Sequence, residues 1–274
     1  MSDPDRAARL VEIDDPDDPR IAAYRQVRER DIGGRCGGFI AEGEVVLRVL
    51  ARSRLCRPRS VLVAARRVQR MTPLLAAFGE DVVIYAAAQG VMDAVVGFPI
   101  HRGLLAYGER PQGPSASELL AAIDGQATIV CLFGVSNHDN VGGVFRNAAA
   151  LGARAVLLDA ACCDPLYRKA IRVSVGATLT VPFARIEPDE DVLALLAGHG
   201  FCALALSPSG TTPLARLRAP ARTAIMLGAE GRGLPEALLA GGTSVAIPMA
   251  DGFDSLNVAT VSGIVLHHLA QEHP

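Results

Sequence analysis

The stretch ATIVCLFGVSNHDNVGGVFRNAAALGARAVLLD (127–159) decides the fold. Two apolar runs, ATIVCLFG (127–134) and RAVLLD (154–159), bracket a segment that opens on polar turn residues and closes at Gly152. Their hydrophobicity is continuous rather than alternating, as expected of strands in a parallel sheet covered on both faces. The segment between them reads as a helix, with Asn140 suited to cap it and Gly152 to stop it. Three later runs, FCALALS (201–207), ARTAIMLG (221–228) and TSVAIPM (243–249), repeat the strand pattern with helical stretches between them. The expected class is α/β, with a parallel sheet in the C-terminal half.

Upstream, short apolar runs at 39–41, 60–65, 81–86 and 104–108 alternate with helix-like stretches, which predicts a small α/β/α sandwich. The Pro, Gly and Ser residues of RPQGPSAS (110–117) mark a linker. The expected division is a helical or partly mobile acidic extension over 1–31, a small domain over 32–110, a linker and first helix over 111–126, and a large domain over 127–274. With 274 residues, 50% hydrophobic and 20% charged, the chain can bury a core and is not disordered. The N-terminus MSDPDRAARL has no apolar run, and nowhere do about 18 uncharged apolar residues follow one another. A cytoplasmic protein with no membrane contact is expected. The six cysteines show no C-x-x-C spacing, so reduced thiols and no metal are expected. With no Trp and 4% aromatics, a row of stacking rings is not available.

The net charge of −2 hides its distribution: residues 1–31 carry −3, residues 32–110 carry +5, and residues 111–274 carry −4. No Asp or Glu lies between Val45 and Gly79, whereas Arg48, Arg52, Arg54, Arg57, Arg59, Arg66, Arg67 and Arg70 do. Forked guanidinium donors suit phosphate, so Arg52, Arg54, Arg66 and Arg67 are candidate RNA contacts. The plain alternative is a solvated helix face.

In parallel α/β sheets, chemistry gathers in the loops beyond the carboxyl ends of the strands. Three such loops stand out. NHDNVGGVFRN (137–147) places Asn140 and Arg146 on one helix. MLGAEGRGLP (226–235) has Gly228, Gly231 and Gly233 around Glu230, a composition that lets backbone approach a ligand closely. IPMADGFDSLNV (247–258) ends a strand and opens a long apolar helix, with Ser255 near its start and Asn257 within its first turn. Each alone is compatible with ordinary turns and caps. No G-x-G-x-x-G is present, so a Rossmann-type dinucleotide site is weakly supported.

Together the loops resemble the three motifs of the SpoU, or TrmH-like, RNA ribose 2′-O-methyltransferases of the SPOUT class: N-x-G-x-x-x-R-x-A, then G-x-E-G-x-G, then I-P-M followed by S-L-N-V. Here they read Asn140-Val141-Gly142…Arg146-Asn147-Ala148, Gly228-Ala229-Glu230-Gly231-Arg232-Gly233, and Ile247-Pro248-Met249…Ser255-Leu256-Asn257-Val258. The connecting stretch CDPLYRKAIRVSVGA (163–177) is family-like too. FIAEGEVVLRVL (39–50) and PIHRGLLAYGER (99–110) look like the ribosomal-protein-L30e-like substrate domain of many members. Two departures are His138-Asp139 before the first motif and the Asp251-Gly252 turn in the third.

The resemblance implies a C-terminal trefoil knot, an exception to unknotted topology. It implies an S-adenosyl-L-methionine pocket formed by Gly228, Gly231, Ile247, Met249 and Leu256. It also implies a homodimer, with the C-terminal helix (Leu256, Val261, Ile264, Val265, Leu269) as a candidate interface, and structured RNA as substrate, rRNA favoured over tRNA. Arg146 would be the central catalytic residue, oriented with the ribose by Asn140, Glu230, Ser255 and Asn257. A guanidinium yields its proton only at a high cost, so Arg146 is read as a phosphate and alkoxide ligand rather than a base. The competing reading is a non-catalytic RNA-binding module with a vestigial methyltransferase domain.

Overall fold

The computed structural model describes residues 10–25, 37–97, 103–218, 220–251, 253 and 255–272. Gly252, Cys36, residues 1–9 and 26–31 of the N-terminal stretch, and 99–102 of the L30e-like segment lie outside them. Two units result: one runs to Pro111 and takes in Leu166–Thr180, and the other comprises Gln112–Pro165 and the chain from Val181.

The first unit is built on β1 (Leu10–Ile13), β2 (Gly38–Glu42), β3 (Arg57–Ala64), β4 (Val83–Ala87) and β5 (Leu104–Glu109), in the order β1-β4-β3-β5-β2. β1, β4 and β3 are parallel, whereas β5 runs antiparallel to both β3 and β2. Its helices are α1 (Glu44–Leu50), α2 (Val68–Leu75) and α3 (Gln89–Val96).

The described part of the expected extension, Leu10–Arg25, is built into this unit. Leu10–Ile13 is an edge strand of the sheet, and Ile13, Ile21 and Tyr24 are buried with Ile40, Leu62 and Leu105 in one core. The Tyr24 hydroxyl pairs with Ser60 Oγ at 2.7 Å and accepts the Tyr107 amide at 3.2 Å. The segment's charge concealed this because Asp18 caps the 3-10 turn Pro19–Tyr24, a local polar role, while a few apolar side chains carry the packing.

The second unit begins with α4 (Ala116–Ala121), where Ser115 and Glu118 form a reciprocal capping box. It continues through β6 (Ala127–Phe133), α5 (His138–Ala150) and β7 (Ala155–Leu158). The chain then contributes α6 (Arg168–Val173) to the first unit and returns for β8 (Phe183–Arg185), α7 (Val192–Gly198), β9 (Cys202–Leu206), β10 (Thr212–Pro213), β11 (Arg222–Gly228), α8 (Glu236–Gly241), β12 (Thr243–Ala246) and α9 (Val258–Glu272). The sheet order is β10-β12-β9-β11-β6-β7-β8, with every pairing parallel. β8 and β10 are too short to show a periodicity, and went unread in the sequence.

A single large domain over 127–274 is corrected, since Leu166–Thr180 packs with the first unit. Arg168 Nη1 meets Glu42 Oε2 at 3.1 Å, both nearly buried, and Ser53 Oγ donates to the Leu179 carbonyl at 2.5 Å. Gly176, at φ +88°, has Val49 Cβ 3.0 Å from where its own Cβ would stand. These contacts are distant in sequence, which is why the stretch read as a simple connection. On α9, Val265 and Leu269 are buried within the protomer, leaving Ile264 exposed.

Tyr24→Phe is expected to cost roughly 1–2 kcal/mol in urea denaturation, because Ser60 and the Tyr107 amide lose a buried partner. An unchanged midpoint would detach residues 10–25 from the core.

Candidate active site

Parallel strands bring their carboxyl ends to one edge, so the loops after β6, β9, β11 and β12 meet there. The cap of α5 is Asn137, whose side chain accepts the Asp139 amide at 2.8 Å. Asn140, expected as the cap, is instead a buried first-turn residue with both ends of its amide engaged. Its Nδ2 donates to Glu230 Oε1 at 2.9 Å, and its Oδ1 accepts from Asn257 Nδ2 at 2.8 Å. Asn257 Nδ2 also reaches Glu230 Oε1 at 3.2 Å. Asn257 was expected inside the first turn of α9, but it precedes the helix and caps it: Oδ1 accepts the Ala259 and Thr260 amides at 2.9 and 3.2 Å. Asn fits because it is donor at one end and acceptor at the other.

This triangle borders a cavity of about 730 Å³. Gly228, Gly231, Ile247, Met249 and Leu256 all line it, as do Glu230, Ser255 and Asn257. Leu206, Ser207 and Pro208 line it too and were not singled out in the sequence; the turn SPSG after an apolar run was their only signal. A Cβ on Gly228 would stand 2.1 Å from the Gly233 carbonyl carbon, so the turn closes only without one. Arg146 lies further along α5, exposed, and among the described residues it has no hydrogen-bond or ion-pair partner. Burial pushes the Cys131 and Cys162 thiols up to about 12 and those of Cys56 and Cys163 to about 11, so none is a thiolate nucleophile at neutral pH. Among the described residues no group of three His, Cys, Asp or Glu is placed to hold a metal, and no helix is long and apolar enough to cross a membrane.

The arginine-rich segment in the first unit is less bare than its sequence. Arg48 pairs with Glu44 at 2.7 Å, Arg57 with Asp81 at 2.9 Å and Arg59 with Glu109 at 2.6 Å. The Arg48 guanidinium, with Arg70 and Arg67 nearby, holds the Glu44 carboxyl below its usual range. Arg52 and Arg54 are exposed, Arg66 bonds only the Gln89 amide oxygen at 3.1 Å, and Arg67 is half-buried. Among the described residues these four have no carboxylate within ion-pairing distance, so the positive excess settles on them and Arg70.

Residues 127–267 match the SpoU rRNA Methylase family. A Mycobacterium tuberculosis protein described as a tRNA/rRNA methyltransferase is 38% identical over 267 residues, 94% of this chain and 91% of the relative. The 23S rRNA (guanosine-2′-O-)-methyltransferase RlmB of Escherichia coli is 27% identical over 216 residues, 77% and 88% of the two chains. The chain belongs to the SpoU rRNA methylase family. Two solved structures share its fold. An AdoMet-bound rRNA methyltransferase from Sinorhizobium meliloti superposes with a TM-score of 0.78 at 22% identity, over 97% of this chain and 98% of that one. The SpoU methyltransferase AviRb from Streptomyces viridochromogenes, in complex with AdoMet, gives 0.78 at 20% identity over 93% and 98%.

Asn140→Asp sets a second carboxyl against Glu230, and like charges that close share a proton held above the ordinary carboxyl range. Stability should approach wild type below about pH 4 and fall away as pH rises through the raised value. Melting temperatures from pH 4 to 8 that run parallel to wild type would dissolve the triangle. Gly228→Ala is expected to lose roughly 1–3 kcal/mol, as a methyl forced into packed backbone does.

Proposed function

We propose that the protein transfers a methyl group from S-adenosyl-L-methionine to the 2′-hydroxyl of a ribose in structured RNA, rRNA in preference to tRNA, in the cytoplasm. The observation that carries this reading is the Asn140–Glu230–Asn257 triangle at the rim of the cavity, with an unpartnered Arg146 on the same helix as Asn140. The pocket suits the methyl donor. Its volume of about 730 Å³ falls within the usual range for small-molecule sites, and its walls join Leu227, Ile247, Met249 and Leu256 to the bare backbone of Gly228 and Gly233. When bound, S-adenosyl-L-methionine supplies a methyl group on a positively charged sulfur.

The residues divide the remaining work. Arg146 is exposed and free to hold an RNA phosphate and to stabilise the ribose oxygen as its proton leaves, the proton passing to phosphate or water because a guanidinium keeps its own. Asn140 and Asn257 have their amides committed to each other and to Glu230, so they hold the glycine loop and the start of α9 in place. Glu230 Oε2, which takes no hydrogen bond from the described residues, is left to meet the ribose, and Ser255 lines the same cavity. The apolar lining limits water around the reacting groups.

The first unit, read as L30e-like, holds the RNA through Arg52, Arg54, Arg66 and Arg67. A trefoil knot is part of this reading: β12 lies outside β9 in the sheet, yet α9, which follows it in the chain, packs against α5, an order in keeping with such a knot. A homodimer is proposed with the exposed Ile264 of α9 at its contact.

Calorimetric titration with S-adenosyl-L-methionine is expected to show one site per chain, and no heat would overturn the reading. Methylated ribose leaves a gap in an alkaline hydrolysis ladder because the 2′-hydroxyl is the cleaving nucleophile. Wild type should create the gap and Arg146→Ala should not, with donor binding unchanged. Reversing Arg52, Arg54, Arg66 and Arg67 to Glu should weaken RNA binding and flatten its salt dependence; an unchanged slope would make them a solvated face.

A further inference from the structure

Arg146 has no protein partner of its own among the described residues, so something else must aim it. The next residue, Asn147, faces α9. Its Nδ2 donates one hydrogen to the Ala259 carbonyl at 2.6 Å and the other to Ser262 Oγ at 2.9 Å, and the Ser262 hydroxyl donates to the same carbonyl at 2.7 Å. Ser262 is fully buried. One turn earlier Gly143 brings the two helices together: a Cβ there would stand 2.6 Å from Ala259 Cβ. On α9, Gly263 leaves room for the amide, with Asn147 Nδ2 3.2 Å from where a Cβ would be.

The close glycine contact sets the distance between α5 and α9 but, being apolar, does not fix how α5 is turned about its axis. The Asn147 bonds are directional and do. Consecutive helical side chains point about 100° apart, so the rotation that seats Asn147 on α9 also determines where Arg146 leaves the helix. We infer that Asn147 is a positioning residue for methyl transfer: its amide, bonded to Ala259 and Ser262, aims Arg146 and keeps Asn140 in register with Asn257. The inference rests on the reading of Arg146 given above. It adds a residue that binds neither donor nor RNA and acts through its neighbour.

The test compares full-length wild type with Asn147→Ala, Asn147→Asp and Arg146→Ala, all assayed well below their melting temperatures. The RNA is 23S rRNA and bulk tRNA from a strain lacking the gene, with tritiated S-adenosyl-L-methionine as donor. Asn147→Ala should lower kcat by about 10- to 100-fold, the scale of a small misplacement of a catalytic group. Donor affinity should stay within about twofold of wild type, and any rise in the KM for RNA, from the phosphate contact of Arg146, should be smaller than the fall in kcat. Asn147→Asp has no donor when ionised but regains one as an acid. Its kcat relative to wild type should therefore rise as pH falls through the range of a buried carboxyl, while a merely structural loss would leave the ratio per folded molecule flat. Wild-type kcat in Asn147→Ala, or a fall matched by an equal loss of donor affinity, would overturn the positioning role. If Arg146→Ala were itself fully active, the assignment of Arg146 would fall, and this role with it. If Arg146→Ala is inactive and Asn147→Ala is not, only the positioning role falls.

Discussion

The carboxylate of Glu230 receives two amide hydrogens on one oxygen, from Asn140 and from Asn257, and the site depends on that junction. A glycine-rich turn has little of its own to hold a shape, and the first turn of α9 has none until its amides are capped. Both are held by polar side chains drawn from places 90 and 117 residues from Asn140 along the chain. The junction is directional, so it specifies one arrangement of three loops where apolar packing would permit several. The cavity beside it inherits that precision.

Beneath the junction lies a sheet in which all seven strands run the same way. That choice places every carboxyl end, and the loop that follows it, along one edge. It also explains why the strands read as largely apolar runs: helices cover both faces, so few positions are left for a polar side chain, Thr223 being a buried exception. The scaffold is built from Val, Ile, Leu and Ala, and nearly all the Asn, Glu, Ser and Gly of functional interest fall just past the strand ends.

The first unit shows how folding redistributes charge. In sequence, every charged residue from Val45 to Gly79 is cationic. In the structure, Glu44 pairs with Arg48 one turn along α1, and Asp81 and Glu109 come from beyond the segment to take up Arg57 and Arg59. These pairs are exposed and contribute little to stability. Their effect is to thin a broad patch to Arg52, Arg54, Arg66, Arg67 and Arg70. Charge counted along a chain overstates a patch whenever carboxylates arrive from outside the window counted.

The sequence by itself determined the α/β class, the positions of the longer strands and the three loops that matter, because those signals are local: apolar runs, turn residues and motif spacing. It could not assign roles within the loops. Its local pattern casts Asn140 as a cap, and Asn140 is a buried link; it casts Asn257 as a first-turn residue, and Asn257 is the cap. Asn suits either task equally, and only the approach of Glu230 from a distant strand end decides between them. The packing of the acidic N-terminal stretch and of Leu166–Thr180 escapes a local reading for the same reason. Ile13, Ile21 and Tyr24 find their partners in β3 and α3, and Arg168 finds its own in β2, all far away in sequence. Composition records what a segment contains, whereas tertiary structure alone decides which of its side chains find a partner.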